Sequence, residues 1–431
     1  MNATTTNENP MVRVMALRDF RLLFAGSSTS LLGDQFALIA TPWLVLKLTG
    51  DPLALGIVLA LEGFPRAVFM LLGGAVTDRL SPRRVMLISD FARLGLTILM
   101  ALAIFLGAVQ MWMVYAFALG FGLVAGFAVP AGSSIVPMLV KEDDLQAGNS
   151  IIMGSSQLVQ FVGPTIAGIL IGRYSSSTLG IGLAFAIDAL SFTISAVCLW
   201  VMRSGRHVVS AGETQKENIW ASILAGVKYL WNDETLRMLF LLLAAVNFFF
   251  TGPLLVGIPV LADQYLPEGA VAFGLLMSAF AGGSLLGILL AGALPRPKGK
   301  GMSAFLILLL AAFGVSLGFF GFIRATWPDF ALMLLLGAGN GYIAILMFTW
   351  MQTNTPKEML GRMMSMVMLA GSGLVPISQA LSGALIKWSL EALFVSAGVL
   401  IVLVSLWTAM QPGLRIFSEG LAAGHQVAVN D

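Results

Sequence analysis

The chain has 431 residues, of which 58% are hydrophobic and 11% are charged, and its formal net charge is +2. Soluble domains carry roughly 25% charged residues, so most of the surface of this chain must face lipid rather than water. The sequence contains no GxxxxGK[ST] and no HExxH motif, and its two histidines fall in polar segments. These features argue against ATP-driven transport, zinc proteolysis and intramembrane histidine relays. The single cysteine, Cys198, cannot form an intramolecular disulfide.

Twelve apolar runs follow a polar N-terminal segment, 1–19, and each is long enough to cross about 30 Å of hydrocarbon. The first run is too long for a signal-peptide core, so we interpret it as a retained span. The predicted spans are 20–47, 53–77, 85–108, 112–138, 149–172, 179–202, 236–261, 270–294, 302–323, 328–352, 363–387 and 391–410. The pattern predicts an all-α polytopic membrane protein with two six-helix halves, 20–202 and 236–410, a linker, 203–235, and a tail, 411–431.

The distribution of basic residues predicts that both termini are cytoplasmic. In that orientation 18 of the 24 lysines and arginines lie in inner segments and four lie outside, leaving Arg66 and Arg93 within spans. This asymmetry is the one expected from the positive-inside rule. We therefore expect a multi-pass protein of a bacterial inner (plasma) membrane. Within the linker, apolar residues at spacings of three and four over 219–231 predict an amphipathic helix on the inner membrane surface.

Corresponding loops of the two halves resemble each other. Segments 78–84 and 295–300, after spans two and eight, are both short and basic, and segments 137–150 and 355–365 both lead into a helix that opens with serine. Internal repeats of this kind are typical of transporters that alternate between two orientations. The alternative is that short cytoplasmic loops are generally basic and rich in turns.

Small residues at a spacing of four predict close helix packing. Gly283, Gly287 and Ala291 recur in span eight, and Gly122 and Gly126 recur in span four. Such residues let two backbones approach each other. We interpret them as packing seams rather than as binding sites.

The inner end of span two carries a recognisable pattern, Gly74-x-x-x-Asp78-Arg79 followed by Arg83 and Arg84. It resembles motif A of the major facilitator superfamily, although Ser81 and Pro82 replace a glycine and an arginine that the family usually has there. The resemblance extends over roughly 15–410 and implies the major facilitator fold.

The resemblance also implies a gating role for this region. Asp78 would cap the start of span eleven, near Met363, when the transporter is open outward. The arginines of the pattern would form a linked charge cluster with Asp90 and Arg93. The alternative is that these arginines only set the topology and form surface ion pairs, which are worth little individually.

Three further segments resemble the branch that contains macrolide-efflux and enterobactin-exporter-like proteins: 30–34, 90–93 and 188–192. Gly163, Pro164 and Gly168 in span five resemble motif C of the antiporter branches, with Ala167 in place of one family glycine. A proline bends a span and flanking glycines let a neighbour approach, so a kinked packing helix is the rival interpretation. Span four lacks the motif B arginine, so proton coupling would have to lie elsewhere.

Ionisable side chains within spans are costly and need a reason. Asp34, Glu62 and Asp188 lie roughly 18–22 Å from the inner ends of their spans, at 1.5 Å per residue, and Arg66 lies one turn from Glu62. We hypothesise that Asp34 is the exchangeable proton carrier and that Glu62 and Arg66 form a polar pair lining the cavity. Asp188 is a further candidate, although it and the Glu62–Arg66 pair could instead be structural.

Four polar side chains within spans are candidates to contact a substrate: Gln157, Gln160, Asn247 and Asn340. Apolar walls with few polar groups suit amphipathic organic molecules.

The sequence favours a secondary active transporter that exports amphipathic small molecules of drug, macrolide or siderophore type by proton antiport. The alternatives are an uptake symporter or uniporter for a small metabolite and, more remotely, a receptor without transport activity. We expect no enzyme activity and no cofactor. We also expect no metal and no nucleic-acid partner, and a monomer in the lipid bilayer.

Overall fold

A computed structural model describes residues 9–204, 219–294 and 300–419. In that part of the chain, twelve helical segments are long and apolar enough to cross a membrane, which confirms the predicted all-α polytopic class. The helices are α1 (Pro10–Ala16), α2 (Arg18–Thr49), α3 (Pro52–Arg79), α4 (Pro82–Phe105), α5 (Met111–Ile135), α6 (Leu145–Arg173), α7 (Leu179–Val201), α8 (Ile219–Asn232), α9 (Glu234–Gly252), α10 (Ile258–Tyr265), α11 (Ala270–Ala293), α12 (Lys300–Phe319), α13 (Thr326–Asn354), α14 (Lys357–Ser372), α15 (Val375–Ile386) and α16 (Leu390–Ala409).

The chain forms two compact units. The first lies within Met1–Leu44 and Phe64–Gly212, and the second lies within Val45–Gly63 and Glu213–Asp431. The division therefore runs through α2 and α3, so that the segment Val45–Gly63 packs with helices of the second unit.

The first unit is built around α4, which packs against both α5 and α7. Aromatic side chains join α5 to α7, because Phe117 meets Phe185 edge-on with ring centroids 5.5 Å apart and Phe121 meets Phe192 with centroids 6.1 Å apart. At the end of the unit that carries α1, a second apolar cluster includes Val14 and residues of α2 and α7.

The second unit repeats this plan with tighter seams. Spans nine and twelve, α12 and α16, pack against each other as spans three and six do in the first unit, which agrees with the predicted internal repeat. Spans eight and ten, α11 and α13, pack closely against each other. A Cβ on Gly283 would lie 3.0 Å from the backbone nitrogen of Ala338, and one on Gly337 would lie 2.9 Å from that of Ser284. The predicted seam at Gly283 and Gly287 is confirmed.

Span seven differs from the single helix that we predicted for 236–261. It consists of α9, a π-helical turn at Pro253–Gly257, and α10. Pro253 has no N–H to donate to the preceding turn, so the hydrogen-bond register shifts there. The hydroxyl of Ser378, in α15, donates to the Phe248 carbonyl, five residues before this proline. A serine from a neighbouring helix thus contacts the backbone beside the interruption.

Span eleven also differs from the prediction. The helix does not begin near Met363 but at Lys357, and it is interrupted between α14 and α15. Gly373 directly follows α14, and its N–H donates a hydrogen bond to the Leu369 carbonyl at 2.8 Å. Pro376 lies in the first turn of α15. Glycine and proline are the residues that end and restart helices. We expected Asp78 to cap a helix start near Met363. Met363 instead lies in the interior of α14.

The segment Val45–Gly63 lies against α15. A Cβ on Gly56 would lie 2.5 Å from the Gln379 carbonyl oxygen, and one on Gly63 would lie 3.0 Å from Pro376. At one end of this contact Asp51 forms a salt bridge with Lys387, with 3.4 Å between the carboxylate oxygen and Nζ. Because two glycines allow the approach, α3 and α15 pack at backbone distance.

The predicted amphipathic helix of the linker is present as α8, over Ile219–Asn232. It packs against α9 and α14. Leu230 is buried, whereas Leu224 and Trp231 are at least half exposed. One face of this helix thus contributes to the second unit, and its position on a membrane surface stays a prediction.

Candidate functional site: a buried charge cluster in the first unit

Four ionisable side chains from three helices meet inside the first unit. They are Asp34 of α2, Asp90 and Arg93 of α4, and Asp188 of α7. The approach of α2 to α7 depends on Gly33, because a Cβ there would lie 2.6 Å from a carboxylate oxygen of Asp188 and would collide with the Ser191 side chain. The small residue therefore brings the Asp34 turn to the charged face of α7.

Asp90 is held by a strong hydrogen bond. The hydroxyl of Ser195 in α7 donates to its carboxylate at 2.6 Å, and both side chains are buried. Arg93, one turn along α4, and Asp34 of α2 also interact with this carboxylate electrostatically. A short bond to a charged acceptor is among the stronger hydrogen bonds in proteins.

Arg93 lies between aromatic rings and acids. Its guanidinium stands 5.2 Å from the centroid of the Phe121 ring and 5.6 Å from that of Phe192. It attracts Asp90 and Asp188, and its Nε makes no hydrogen bond to a described residue. Arginine stacks well on aromatic faces and remains charged in proteins. This residue therefore supplies fixed positive charge to the cluster.

Asp188 is the most buried member of the cluster, with no exposed surface. Neither of its carboxylate oxygens accepts a hydrogen bond from a residue in the described ranges. The nearby Ser191 hydroxyl donates instead to the main-chain carbonyl of Asp188, at 2.7 Å. Asp34 repels this carboxylate and Arg93 attracts it. A carboxylate in such surroundings lacks the solvation that water would give it.

The polar and aromatic neighbours of this cluster were not among the predicted site residues. Ser191 and Ser195 follow Asp188 at positions three and seven along α7, on the same helix face. That spacing was a usable signal, because it places two hydroxyls beside an intramembrane acid. The contributions of Phe121 and Phe192 had no comparable signal, since aromatic residues occur along most spans.

The remaining residues of the motif A pattern lie at the end of α3 and the start of α4. Arg83 is buried, and it donates to the carbonyls of Leu199 and Trp200 at 2.6 and 2.8 Å, whereas Arg84 is exposed. Arg83 thus holds the C-terminal end of α7, while Asp90 and Arg93, its expected partners, belong to the buried cluster. The surroundings of Gly74 and of the Asp78 and Arg79 side chains lie outside what the structure describes.

The motif C residues Gly163, Pro164 and Gly168 are buried in α6. A Cβ on Gly163 would lie 2.6 Å from Cγ of Gln35, so this glycine lets α6 approach α2 one residue after Asp34. Gly163 therefore has a packing role beside the charge cluster, whatever its part in transport.

The other candidate residues occupy separate places. Glu62 and Arg66 are half-buried in α3, on either side of Pro65. Gln160 is exposed on α6 and its amide lies 3.5 Å from the side-chain oxygen of Gln157. Asn247 and Asn340, from α9 and α13, line one cavity in the second unit. No group of metal-ligating side chains occurs in the part of the chain that the structure describes.

Twelve apolar helices with ionisable groups buried among them define a polytopic membrane protein of the secondary-transporter type. The family model described as Major Facilitator Superfamily matches residues 23–378. The chain therefore belongs to the major facilitator superfamily, whose members are transporters rather than enzymes.

Two curated relatives match most of the chain. The multidrug efflux pump Tap of Mycolicibacterium fortuitum is 27% identical over 422 residues, covering 96% of this chain and 98% of that protein. The enterobactin exporter EntS of Escherichia coli O139:H28 (strain E24377A / ETEC) is 24% identical over 346 residues, covering 80% of this chain and 79% of that protein. The second relative is an enterobactin exporter, as the sequence resemblance to that branch indicated.

Solved structures share the fold. A crystal structure of the peptide transporter POT in complex with alafosfalin matches with a TM-score of 0.71 at 14% identity, covering 95% of this chain and 99% of that chain. The nucleoside transporter NupG matches with a TM-score of 0.67 at 13% identity, covering 93% and 99%. At this identity the likeness concerns the fold alone.

Proposed function

We propose that the protein exports amphipathic small molecules by proton antiport. In this proposal it works as a monomer in a bacterial inner membrane, with both termini in the cytoplasm. The halves 20–202 and 236–410 alternate in access, and the motif A residues, including Gly74 and Asp78, gate the inner side. The names of two relatives, a multidrug efflux pump and an enterobactin exporter, support the outward direction.

The charge imbalance of the buried cluster is the observation that carries proton coupling. Asp34 repels both Asp90 and Asp188, and each of those two carboxyl groups is attracted by Arg93. Placing several like charges together in apolar surroundings is unfavourable, and uptake of a proton relieves the repulsion. A cationic or polar substrate group could relieve it equally well. Competition between proton and substrate for one cluster is the physical basis of antiport.

We assign the exchangeable proton to Asp34, which is half-buried, and a supporting role to the inaccessible Asp188. Asp90 accepts from Ser195 and lies beside Arg93, so in this proposal it has a positioning role. In this proposal Glu62 and Arg66 form a polar pair that lines the transport cavity. Motif C, at Gly163, Pro164 and Gly168, supports the antiporter assignment through its resemblance.

The proposal is tested by substrate-induced proton movement in everted membrane vesicles, with a panel of macrolides, lipophilic dyes and siderophores. We expect at least one compound to release protons from the lumen. Asp34→Asn and Asp188→Asn should each reduce the initial rate at least tenfold, because the amide keeps the shape of the side chain but cannot exchange a proton.

The matched control is Asp143→Asn, at an exposed acid near the start of α6, which should retain the wild-type rate. Thermal unfolding of each variant checks that it is folded. Full proton release by both cluster variants would exclude this site as the coupling site. Accumulation of a compound inside cells that express the protein would favour the uptake alternative.

A further inference from the structure

The second unit contains a cavity that is separate from the charge cluster. Helices α9, α12, α13 and α16 surround it, and residues of the C-terminal segment 413–419 close part of its wall. Its volume is about 100 Å³. For comparison, an engineered apolar cavity of about 150 Å³ in another protein binds benzene, so this cavity has room for one ring-sized group.

The lining of this cavity is almost wholly apolar. Among the described residues, Asn247, Asn340 and Thr408 are the polar side chains of the lining, and none of the lining residues is a lysine, arginine, aspartate or glutamate. Phe250 and Phe313 form one wall, with ring centroids 4.7 Å apart. A charged group moved into such surroundings would lose its hydration without gaining a counter-charge. The cavity therefore selects against carboxylate, phosphate and ammonium groups.

One polar group in the lining is available for a ligand. Asn247 donates to the Leu243 carbonyl at 2.9 Å, and Thr408 donates to the Val404 carbonyl at 2.8 Å. The carboxamide of Asn340 makes no hydrogen bond to any residue of the described part of the chain. Asn340 lies near the middle of α13, a membrane span, and it is half-buried in the cavity wall. Its amide can therefore hydrogen-bond a ligand carbonyl, amide or hydroxyl.

We propose that this cavity binds the uncharged, lipophilic end of the exported molecule, and that Asn340 is a specificity-determining residue which hydrogen-bonds a carbonyl or hydroxyl group. The proposal rests on the export function proposed above. It narrows the substrate class to molecules with a neutral aromatic or aliphatic end, and it places any cationic end outside this cavity. A lipid acyl chain shares the apolar chemistry but offers nothing to Asn340.

Binding is measured with the purified full-length protein in phosphatidylcholine nanodiscs, with Nile red as a neutral aromatic probe that carries a carbonyl group. We expect saturable binding, and we expect the anionic dye fluorescein not to compete for it. Asn340→Leu should weaken binding about two- to twelvefold, because one neutral hydrogen bond contributes about 0.5–1.5 kcal/mol. Ala344→Phe, at an accessible position of the lining, should reduce affinity by more than tenfold by filling the cavity.

The control variant is Asn354→Leu, at an exposed amide in the same helix that donates to the Trp350 carbonyl. It should bind Nile red as the wild type does. Thermal unfolding of Ala344→Phe confirms that the variant is folded, and Asn340→Leu tests the proposal without a change of volume. Binding that changes with the acyl chains of the nanodisc but not with Asn340→Leu would identify a lipid site and overturn the proposal.

Two further outcomes separate this proposal from the export function. If the wild type binds Nile red at this cavity but no compound moves protons, antiport fails and the cavity assignment stands. If a compound moves protons but Nile red binding is unaffected by both Asn340→Leu and Ala344→Phe, the cavity assignment fails and antiport stands.

Discussion

At the scale of single residues, Arg83 illustrates how a basic residue of a loop pattern can act inside the fold. Its guanidinium reaches across from the start of α4 to two carbonyls at the end of α7. The last carbonyls of a helix have no partner within the helix, and a cation at that end is further stabilised by the helix dipole. The nearby Asp19 carboxylate accepts from the backbone N–H of Ser204 at 2.7 Å. Side chains from two other helices thus fix the position at which α7 leaves the bundle.

Arg83→Ala should therefore lower the stability of the first unit. Hydrogen bonds from a charged donor contribute about 1.5–3 kcal/mol each, so we expect a clear drop in the midpoint of thermal unfolding in detergent. The neighbouring Arg84→Ala removes the same charge at an exposed site and should leave the midpoint within about a degree. Equal effects of the two substitutions would show that Arg83 contributes only charge.

The same residue shows what the sequence could and could not predict about the site. The motif resemblance implied a charge cluster of arginines, among them Arg83, with Asp90 and Arg93 as partners. In the structure Arg83 donates to the carbonyl of Leu199 near the end of α7, whereas Asp90 accepts from Ser195 about one turn earlier in that helix. Intramembrane charge alone correctly marked Asp34 and Asp188 as unusual. The side-chain partners depend on how helices rotate about their axes, which charge and hydropathy do not determine.

At the scale of helices, the α11–α13 seam depends on glycine at backbone distance. A Cβ on Gly287 would lie 2.8 Å from the backbone nitrogen of Tyr342, and Gly341 of the facing helix is similarly close to Ser284. Backbone atoms cannot move aside as a flexible side chain can. Close packing between small residues is a main source of helix association in lipid.

Gly287→Leu should therefore destabilise the second unit by at least the 1–3 kcal/mol that is typical of overpacking, to order of magnitude. Gly292→Leu is the control, because Gly292 belongs to the same helix and faces open space. The comparison is the fraction of folded protein after a heat challenge in detergent. An equal loss of folded protein in both variants would mean that the added side chain, rather than the seam, is responsible, because leucine favours the helix more than glycine does.

Helix boundaries were predicted better than helix continuity. Hydropathy located all twelve spans, since lipid thickness fixes their length and composition. It did not predict the π-helical turn at Pro253–Gly257 or the interruption before Pro376. Both prolines were visible in the sequence, but other prolines within spans, such as Pro42 and Pro130, lie inside continuous helices. Whether a proline interrupts a span depends on whether neighbouring helices can satisfy the carbonyl that it frees, which hydropathy does not describe.

At the scale of the whole molecule, the distribution of lysine and arginine predicts which ends face the cytoplasm. This is tested by cysteine labelling in intact cells with a membrane-impermeant maleimide, in a Cys198→Ala background. Ser176→Cys, in the exposed turn between α6 and α7, should react. Glu142→Cys, in the exposed turn before α6, should react only after the membrane is permeabilised. The reverse pattern would contradict the predicted orientation.

The segment Val45–Gly63 belongs to the second unit although it is made with the first. During synthesis it emerges with spans one and two, long before its partners Pro376, Gln379 and Gly383 exist. At a synthesis rate of about 5–20 residues per second, tens of seconds pass between the synthesis of this segment and that of the eleventh span. During that time the glycines of the segment have no partner helix. The second unit is therefore completed by a long-range contact late in biogenesis, and translation stopped before span eleven leaves the earliest part of the chain without its final neighbour.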